Sequence, residues 1–293
     1  MRKTESESVK NEKSMLSRRH PLLSRAAEKY SMSEYAVSVT DFLTPGEKTE
    51  IYASIASNSV NGASRCFFWG GCRGVERCTA VFLPEWYMPE KCPAHKMPYD
   101  EERTDFFASY LEQNPHIAEE IPICAVKIKG SGFSKLEHKD YMGALLSLGI
   151  ERSVIGDIVV VSENEAIVFI LEKIAPFIVS ELKKIARDGV SCEKNNVPPN
   201  FSVQRKYENM TLFVSSLRLD GVVKALIGKS REEAALMVRE GLVNVMYRET
   251  DNVSLPVKED DVISVRGYGK FVIGKTSGTT KSGRLRVECK KYI

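Results

Sequence analysis

The stretch SLRLDGVVKALIGKSREEAALMVREGLVNV, residues 216–245, predicts two short helices packed against each other. Apolar residues recur at helical spacing in both halves, so each half presents one apolar face. Ser230 and Glu233 form a capping-box pattern that predicts the start of the second helix. Gly241 predicts its end, because glycine readily adopts the left-handed conformation found there. The apolar residues are Leu217, Leu219, Val222, Val223 and Leu226 in the first half and Ala234, Ala235, Val238 and Leu242 in the second.

Two short strands are predicted after the helices. Leu242–Val245 and Val262–Val265 are short runs rich in β-branched residues, which favour strands. Asp260–Asp261 is expected to form the turn between them. Two helices followed by a small sheet predict a C-terminal domain over residues 210–293.

This pattern resembles the S4 RNA-binding domain, a module named after a small-subunit ribosomal protein. The family usually has glycine after the asparagine of the first strand, whereas Val245 and Met246 follow Asn244 here, so a reshaped turn is expected. The residues that carry the resemblance are Arg218-Leu219-Asp220, Ser230-Arg231, Gly241, Val243, Asn244, Asp261-Val262-Ile263 and Arg266-Gly267.

The resemblance implies that this domain binds RNA. Arginine side chains would hold phosphates by bidentate contacts, and Ser230 would cap the second helix close to a phosphate. Asp220 is expected to turn back to its own helix start or to order Arg218. The residues expected in the RNA-binding surface are Arg218, Asp220, Lys224, Lys229, Ser230, Arg231, Arg239, Asn244, Arg266, Lys270, Lys281, Arg284 and Arg286.

The charge distribution agrees with a nucleic-acid partner. The whole chain of 293 residues carries a net charge of only +3. From Arg266 to the end, however, eight Lys or Arg residues accompany one acid, Glu288, which gives a local charge of +7. A predicted hairpin over Phe271–Tyr292, turning at 278–283, would lay these cations along an RNA backbone.

The remaining composition is that of a cytoplasmic globular protein. Apolar residues make up 43% of the chain, yet no apolar run is long enough for a membrane span. Residues 1–19 are polar and predict a disordered tail without a signal sequence. The seven cysteines lack a CxxC pair, so reduced thiols are expected and neither a metal nor a cofactor is predicted. The residues that come nearest to a metal-site pattern are Cys66, Cys72, Cys78, Cys92 and His95.

Residues 20–115 predict an N-terminal α+β domain. Helices are expected from His20 to about Tyr35, from Pro45 to about Ser59 behind the cap Thr44, and, exposed, over Asp100–Asn114. Ser64–Trp69 and Cys78–Leu83 predict two strands joined by a glycine-rich loop. This loop lacks the spacing of a nucleotide-binding motif, and Arg73 and Arg77 in it are candidate RNA contacts.

Residues 116–200 predict a βαββαβ domain of the ferredoxin-like kind used by RNA-recognition motifs. The last strand fits either Val190–Glu193 or Met210–Ser215, and the aromatic strand signature of those motifs is missing. The other predicted elements are Ile121–Lys129, Lys139–Leu148, Asp157–Val161, Ala166–Leu171 and Lys173–Arg187.

With these motifs the chain resembles the YlmH family of bacterial RNA-binding proteins over residues 20–293. The resemblance implies binding to ribosomal RNA or ribosome-bound tRNA, action on the large ribosomal subunit in translation or quality control, and genes near those of cell division. It adds His138, Lys139 and Arg152 as secondary RNA-contact candidates. The residues that carry it are Phe68-Trp69-Gly70-Gly71, Glu76-Arg77, His138, Asp140 and Gly143-Ala144-Leu145.

We therefore expect an α+β protein that acts as a monomer and binds RNA without catalysis. No nucleophile with a neighbouring base stands out, and His138 and Asp140 at a helix start are expected to cap it. Two alternatives remain open. The run Leu217–Asp220 is similar to the catalytic motif of pseudouridine synthases, although their S4 domain usually precedes the catalytic domain. The chain could instead be a protein–protein adaptor linked to cell division.

Overall fold

The computed structural model describes residues 21–58, 65–93, 101–195, 197, 201–204 and 207–292. They fall into two compact units, one ending at Val203 and the other starting at Gln204. Both units mix helices with antiparallel sheets, which confirms the predicted α+β class. The tail predicted over residues 1–19 lies outside the described residues. None of the helices in the described ranges is long and apolar enough to cross a membrane.

The first unit begins with a small helical and sheet layer. Thr44 caps the second helix as predicted, since its amide donates to Glu47 Oε2 at 2.6 Å and its Oγ1 accepts from the Glu47 amide at 3.3 Å. Strands β1, β3 and β2 form an antiparallel sheet in that order. The elements are α1 Pro21–Met32, β1 Ser38–Val39, α2 Pro45–Asn58, β2 Cys66–Trp69, β3 Thr79–Phe82, α3 Glu101–Gln113 and α4 Pro115–Glu119.

Helix α3 is buried on one side, which corrects the expectation of an exposed helix. The ring of Phe107 is fully buried and stacks on Phe67, with 4.3 Å between the ring centroids. Leu111, one turn further along, is also buried. The apolar face of α3 was not evident from the sequence, because charged and polar residues surround the apolar ones over 101–113.

The second layer of the first unit is a five-stranded antiparallel sheet with the order β5-β6-β4-β8-β7. Between β4 and β8 the elements follow the order βαββαβ, with the short β7 added before the last strand. They are β4 Ile123–Gly130, α5 His138–Ser147, β5 Ile155–Ser162, β6 Glu165–Leu171, α6 Ala175–Glu181, β7 Lys184–Ile185 and β8 Asp188–Asn195. The last strand is thus the one near Val190–Glu193, whereas Met210–Ser215 overlaps a strand of the second unit.

Helix α6 is much shorter than the predicted Lys173–Arg187. Leu182 and Ile185 are both buried and lie three residues apart, which mimics helical spacing. The chain instead leaves the helix at Leu182, whose ψ of 95° is extended. It then pairs Ile185 with Asp188 across a two-residue turn at Ala186, where φ is +53°.

The N-terminal layer packs on one face of the five-stranded sheet. A Cβ added to Gly156 would lie 2.6 Å from Cε1 of Phe42, and one added to Gly71 would clash with the ring of Phe169. Phe42 and Cys72 belong to the same buried cluster as Phe169. The boundary proposed between residues 115 and 116 therefore falls inside one shared core.

The second unit is a six-stranded antiparallel sheet with two helices on one face. Its strand order is β11-β10-β12-β13-β14-β9. The elements are β9 Tyr207–Val214, α7 Leu219–Ile227, α8 Arg231–Arg239, β10 Val243–Val245, β11 Arg248–Glu249, β12 Val262–Val265, β13 Gly269–Thr279 and β14 Leu285–Tyr292. Leu219, Val223 and Val238 of the helices share a buried cluster with Phe271 and Ile273 of the sheet.

The turn after β10 is reshaped, as the departure at Met246 predicted. Met246 and Tyr247 have φ values of +49° and +63° and join β10 to β11 as a two-residue hairpin turn. Such turns favour glycine or asparagine, because other side chains strain the left-handed backbone. Asp260, with φ of +66°, turns the chain shortly before β12 rather than joining it directly to β10.

Candidate nucleic-acid interface

The second helix of the second unit, α8, begins at a defined cap. Ser230 Oγ accepts from the Glu233 amide at 3.1 Å, and Glu233 Oε2 accepts from the Ser230 amide at 2.9 Å. This capping box is the predicted one. It fixes the first turn of α8 and, with it, the position of Arg231.

Asp220 holds two arginines at this point. Its carboxylate accepts from Arg218 Nε at 3.3 Å and from Arg231 Nε at 3.0 Å, and Arg231 Nη2 lies 2.9 Å from Oδ2. The Gly221 amide donates to Oδ1 at 2.8 Å. One carboxylate in the first turn of α7 therefore orders an arginine beside each helix, which goes beyond the predicted ordering of Arg218 alone.

The environment of Asp220 keeps it ionised. Burial raises the pKa of this carboxyl group, but hydrogen bonds from Arg218, Arg231 and the Gly221 amide outweigh burial and lower the pKa below its ordinary value. Only 5% of the residue is exposed. The carboxylate is thus negatively charged at neutral pH and attracts the guanidinium groups of Arg218 and Arg231.

The arginine pair, Arg218 and Arg231, remains accessible from solvent. Their side chains are 44% and 53% exposed, although both are bonded to Asp220. A guanidinium has five N–H donors, and Asp220 accepts from two nitrogens of each arginine. Both groups are therefore oriented in advance and keep donors directed away from Asp220, which suits phosphate binding.

The other predicted cations of the helices are exposed but share the surface with acids. Lys224 and Arg239 are exposed, and Lys229 Nζ lies 3.8 Å from Glu233 Oε1. Helix α8 also carries Glu232. The strongest positive feature of the helices is therefore the arginine pair rather than a uniformly basic face.

The remaining candidates of the second unit lie elsewhere on it. Asn244, Lys270 and Arg286 occupy the sheet face opposite the helices, since they alternate with the buried residues of their strands. Arg266 lies in the turn between β12 and β13, and its amide donates to Leu242 O at 2.9 Å. Lys281 and Arg284 are exposed at the turn of the C-terminal hairpin. The thirteen predicted residues therefore form no single patch.

Two tyrosines flank Lys270 and a third packs on one of them, which the sequence did not reveal. Lys270 Nζ lies 5.0 Å from the ring centroids of both Tyr247 and Tyr292. Tyr207 meets Tyr292 edge to face, with 5.0 Å between the centroids. The period-two alternation of β9 and β14 was the available signal, but it becomes informative only when their pairing is known.

In the first unit, Arg77 stabilises the fold rather than lying on an exposed surface. Only 8% of it is exposed, and its guanidinium donates to the carbonyls of Ile155 at 2.9 Å, Phe42 at 3.1 Å and Arg152 at 3.0 Å. The amides of Glu76 and Arg77 donate to the Asp157 carboxylate. The glycine-rich loop thereby anchors the N-terminal layer to the five-stranded sheet, so we leave Arg77 out of the candidate surface.

Arg73 is engaged by acids of α3. Its Nη1 lies 2.8 Å from Glu112 Oε1, its Nε lies 3.5 Å from Asp105 Oδ1, and its Nη2 donates to Ser109 Oγ at 3.2 Å. Its backbone carbonyl also accepts from the Val203 amide at 2.9 Å. Through these contacts Arg73 joins α3 to the segment around Val203 within the first unit.

His138 and Lys139 are exposed in the first turn of α5, and Arg152 is exposed in the short helical turn before β5. Burial and the positive charge of Arg152 lower the pKa of His138, which is neutral at physiological pH. Lys139 pairs with Glu137 at 2.9 Å. Asp140 accepts from the Glu137 amide at 2.8 Å, which agrees with its predicted capping role.

Comparison with known proteins relates this chain to one family. Residues 118–198 match a family model described as "Putative RNA-binding domain in YlmH". Over 258 residues the chain is 29% identical to the ribosome-associated protein quality control protein P2 of Bacillus subtilis (strain 168), and the alignment covers 87% of each chain. The resemblance to the YlmH family is confirmed. A solved structure, the cell division protein ylmH from Streptococcus pneumoniae, superposes with a TM-score of 0.41 and 22% identity, covering 60% of this chain and 90% of that one.

The YlmH domain match spans the five-stranded sheet. Residues 118–198 include β4 to β8 with helices α5 and α6. His138, Lys139 and Arg152 fall inside it, whereas the arginine pair lies outside. The two sets of candidates thus belong to different units.

The sequence analysis did not predict one ordered loop in the region that matches the YlmH family model. The buried Asp188 accepts from the Ser131 amide at 3.0 Å, from the Ser134 amide at 3.3 Å and from Ser131 Oγ. These hydrogen bonds, the one from Ser131 Oγ foremost, lower the pKa of Asp188. Phe133 at the tip is 75% exposed. The only local hint of this loop in the sequence is a single phenylalanine with serines on either side. The loop is ordered by Asp188, which lies more than fifty residues away in sequence.

The seven cysteines are thiols rather than members of disulfides. Burial raises the pKa of Cys66 and Cys72 to about 12 each, so both are protonated and inert at neutral pH. Within the described ranges, no three His, Cys, Asp or Glu side chains come together as metal ligands. His95 lies outside those ranges.

Proposed function

We propose that this protein binds structured ribosomal RNA or ribosome-bound tRNA without catalysing a reaction. The single observation that carries the proposal is the pair of half-exposed guanidiniums that the buried Asp220 holds at the junction of α7 and α8. Arginines ordered in advance lose little conformational freedom when they bind a phosphate, so more of the contact energy appears as affinity.

The comparisons support an RNA-linked role on the ribosome. The matching family model is described as RNA-binding, and the relative from Bacillus subtilis is named as ribosome-associated and as a quality control protein. The order of two helices and a sheet in the second unit is consistent with an S4-type domain. We extend this to action as a monomer on the large subunit, in the cytoplasm where ribosomes work.

The arrangement of Asp220 favours binding over the pseudouridine-synthase alternative. A catalytic aspartate must reach the substrate base, whereas Asp220 is 5% exposed and accepts from two arginines and an amide. The adaptor alternative has less of the five-stranded sheet to use, because the N-terminal layer covers part of it.

Sedimentation through a sucrose gradient tests the proposal. The protein should travel with large ribosomal subunits at low salt and leave them when Arg218 and Arg231 are both changed to glutamate. Arg25→Glu is a matched control, since Arg25 is an exposed arginine on α1, outside the residues that match the RNA-binding family model. Absence of the wild-type protein from every ribosomal fraction, with or without added tRNA, would contradict the proposal.

A further inference from the structure

The six-stranded sheet of the second unit has a face that the helices do not cover. Along β9 and β14, Leu212, Val214, Val287 and Cys289 are buried on the helix side. The residues between them point the opposite way, because side chains alternate along a strand. We call this second surface the outer face. It comprises Tyr207, Asn209, Thr211 and Phe213 of β9, Arg286, Glu288, Lys290 and Tyr292 of β14, Lys270 and Val272 of β13, Val262 and Ser264 of β12, Asn244 of β10, and Glu249 of β11.

Aromatic rings and cations alternate across the outer face. Arg286 lies directly opposite Phe213, and Tyr292 lies directly opposite Tyr207. Lys290 Nζ is 5.8 Å from the Tyr207 ring centroid, and Lys270 Nζ lies over Tyr292. The face therefore offers ring surfaces whose neighbours are positively charged.

Two of these rings are open to solvent. Tyr207 is 38% exposed and Phe213 is 48% exposed, on the edge strand of the sheet. Exposed aromatic side chains on a monomeric surface are costly to leave in water and mark interaction sites when they are grouped. Their separation along β9 is six residues, or roughly 20 Å at the usual rise per residue.

The hairpin turn before β11 adds a fourth ring. Tyr247 adopts φ of +63°, and its ring centroid lies 5.0 Å from Lys270 Nζ. Its neighbour Met246 is also left-handed, so the turn keeps two strained non-glycine residues where glycine would be relaxed. The strain is consistent with a role for this side chain outside the fold.

We propose that the outer face binds single-stranded RNA, with bases stacking on Tyr207, Tyr292 and Phe213 and phosphates held by Lys270, Lys290 and Arg286. Stacking requires unpaired bases, because a duplex buries their faces. Alternating rings and cations are the usual composition of single-strand binding surfaces. Glu288 and Glu249 also lie on this face, so the phosphate path is expected to follow the three cations and avoid the centre of β14.

The inference rests on the proposed RNA-binding function and extends it to a second surface. The arginine pair and the outer face lie on opposite sides of the second unit's core, since α7 and α8 pack on the other face of the sheet. A folded RNA with a single-stranded extension could occupy both. The arginine pair would bind the folded part and the outer face the extension.

Fluorescence anisotropy with three labelled RNAs tests the inference: a twelve-nucleotide single strand, a blunt hairpin, and the hairpin with that strand as an extension. Changing Tyr207 and Tyr292 together to leucine should weaken binding of the single strand at least about tenfold. Binding of the blunt hairpin should stay unchanged. Tyr35→Leu is the matched control, because Tyr35 is 81% exposed and lies outside the residues that match the RNA-binding family model.

A second variant guards against misfolding of the double mutant. Tyr207→Trp keeps a stacking ring, so single-strand affinity should be retained and the fluorescence of the introduced indole should be quenched by added RNA. Affinity that falls equally for single strand and hairpin in the leucine variant, or unquenched indole fluorescence in Tyr207→Trp, would overturn the inference. If the wild-type protein binds neither RNA, the proposed function fails as well. If only Arg231→Glu abolishes hairpin binding while the tyrosine variants bind the single strand normally, only the second surface is refuted.

Discussion

Arg231 and Asp220, eleven residues apart in sequence, join the two helices of the second unit, with Nε of the arginine 3.0 Å from Oδ2 of the aspartate. The contact links the first turn of α7 to the first turn of α8. It leaves the guanidinium about half exposed while its acid partner is almost completely buried. A buried acid that orients surface arginines is the basis of the predictions below.

Asp220→Asn should reduce both RNA affinity and stability. The amide cannot accept as strongly from two guanidiniums, and we expect a loss of about 1–3 kcal/mol in the free energy of unfolding. RNA affinity should fall because Arg218 and Arg231 lose their common anchor. Urea denaturation and filter binding measure the two effects. Asp251→Asn, at an exposed aspartate of the same unit, is the control. A variant with normal affinity would show that orientation by Asp220 is unimportant.

Acidification should reduce the advantage of Asp220 over asparagine. The folded-state pKa of Asp220 lies below its ordinary value, so its contribution to stability is complete above the ordinary carboxyl range. It is lost as the pH falls through the folded pKa. The difference in unfolding free energy between wild type and Asp220→Asn should therefore be constant from about pH 6 to 8 and shrink below about pH 4. A difference that grows on acidification would contradict the assigned charge state.

Arg77→Met should destabilise the first unit without a specific effect on RNA. The change removes the donor from three backbone carbonyls, and we expect a loss of at least about 2 kcal/mol. Thermal unfolding measures it, with Arg187→Met as the exposed control. Normal stability combined with lost RNA affinity would instead restore Arg77 as an RNA contact.

Two glycines near helix α5 should respond in opposite directions to alanine. Gly143 lies inside the helix with open space around it, so Gly143→Ala should stabilise by about 0.5–1 kcal/mol. Gly149 follows the helix at φ of +79° and is equally open, so Gly149→Ala should destabilise by about 1 kcal/mol through backbone strain alone. Chemical denaturation of both variants provides the test, and effects of the same sign would mean that the helix end is misassigned.

Local patterns predicted much of the fold. The capping boxes at Thr44 and Ser230, the left-handed Gly241 and the turn of the C-terminal hairpin depend on contacts within a few residues, and all four are observed. The reshaped turn at Met246 was also expected, because Val245 and Met246 follow Asn244 where the S4 family usually has glycine.

Other features depend on partners distant in sequence. The burial of α3 follows from Phe67 stacking on Phe107, forty residues away. Ile185 was assigned to a helix because spacing alone cannot distinguish a buried strand from a buried helical turn. The internal role of Arg77 and the ring cluster around Lys270 appear only when the sheets are assembled. The candidate surface was therefore predicted as a set of cations but not as an arrangement.

The most direct test of the central claim is filter binding of structured ribosomal RNA at about 50 and 200 mM salt by wild type, Arg231→Glu and the control Arg25→Glu. If about six phosphates are neutralised, wild-type affinity should fall by roughly a thousandfold between the two salt concentrations. Arg231→Glu should bind at least about tenfold more weakly than Arg25→Glu at low salt. Binding that is insensitive to salt, or equal losses in the two variants, would show that the arginine pair on α7 and α8 does not contact RNA.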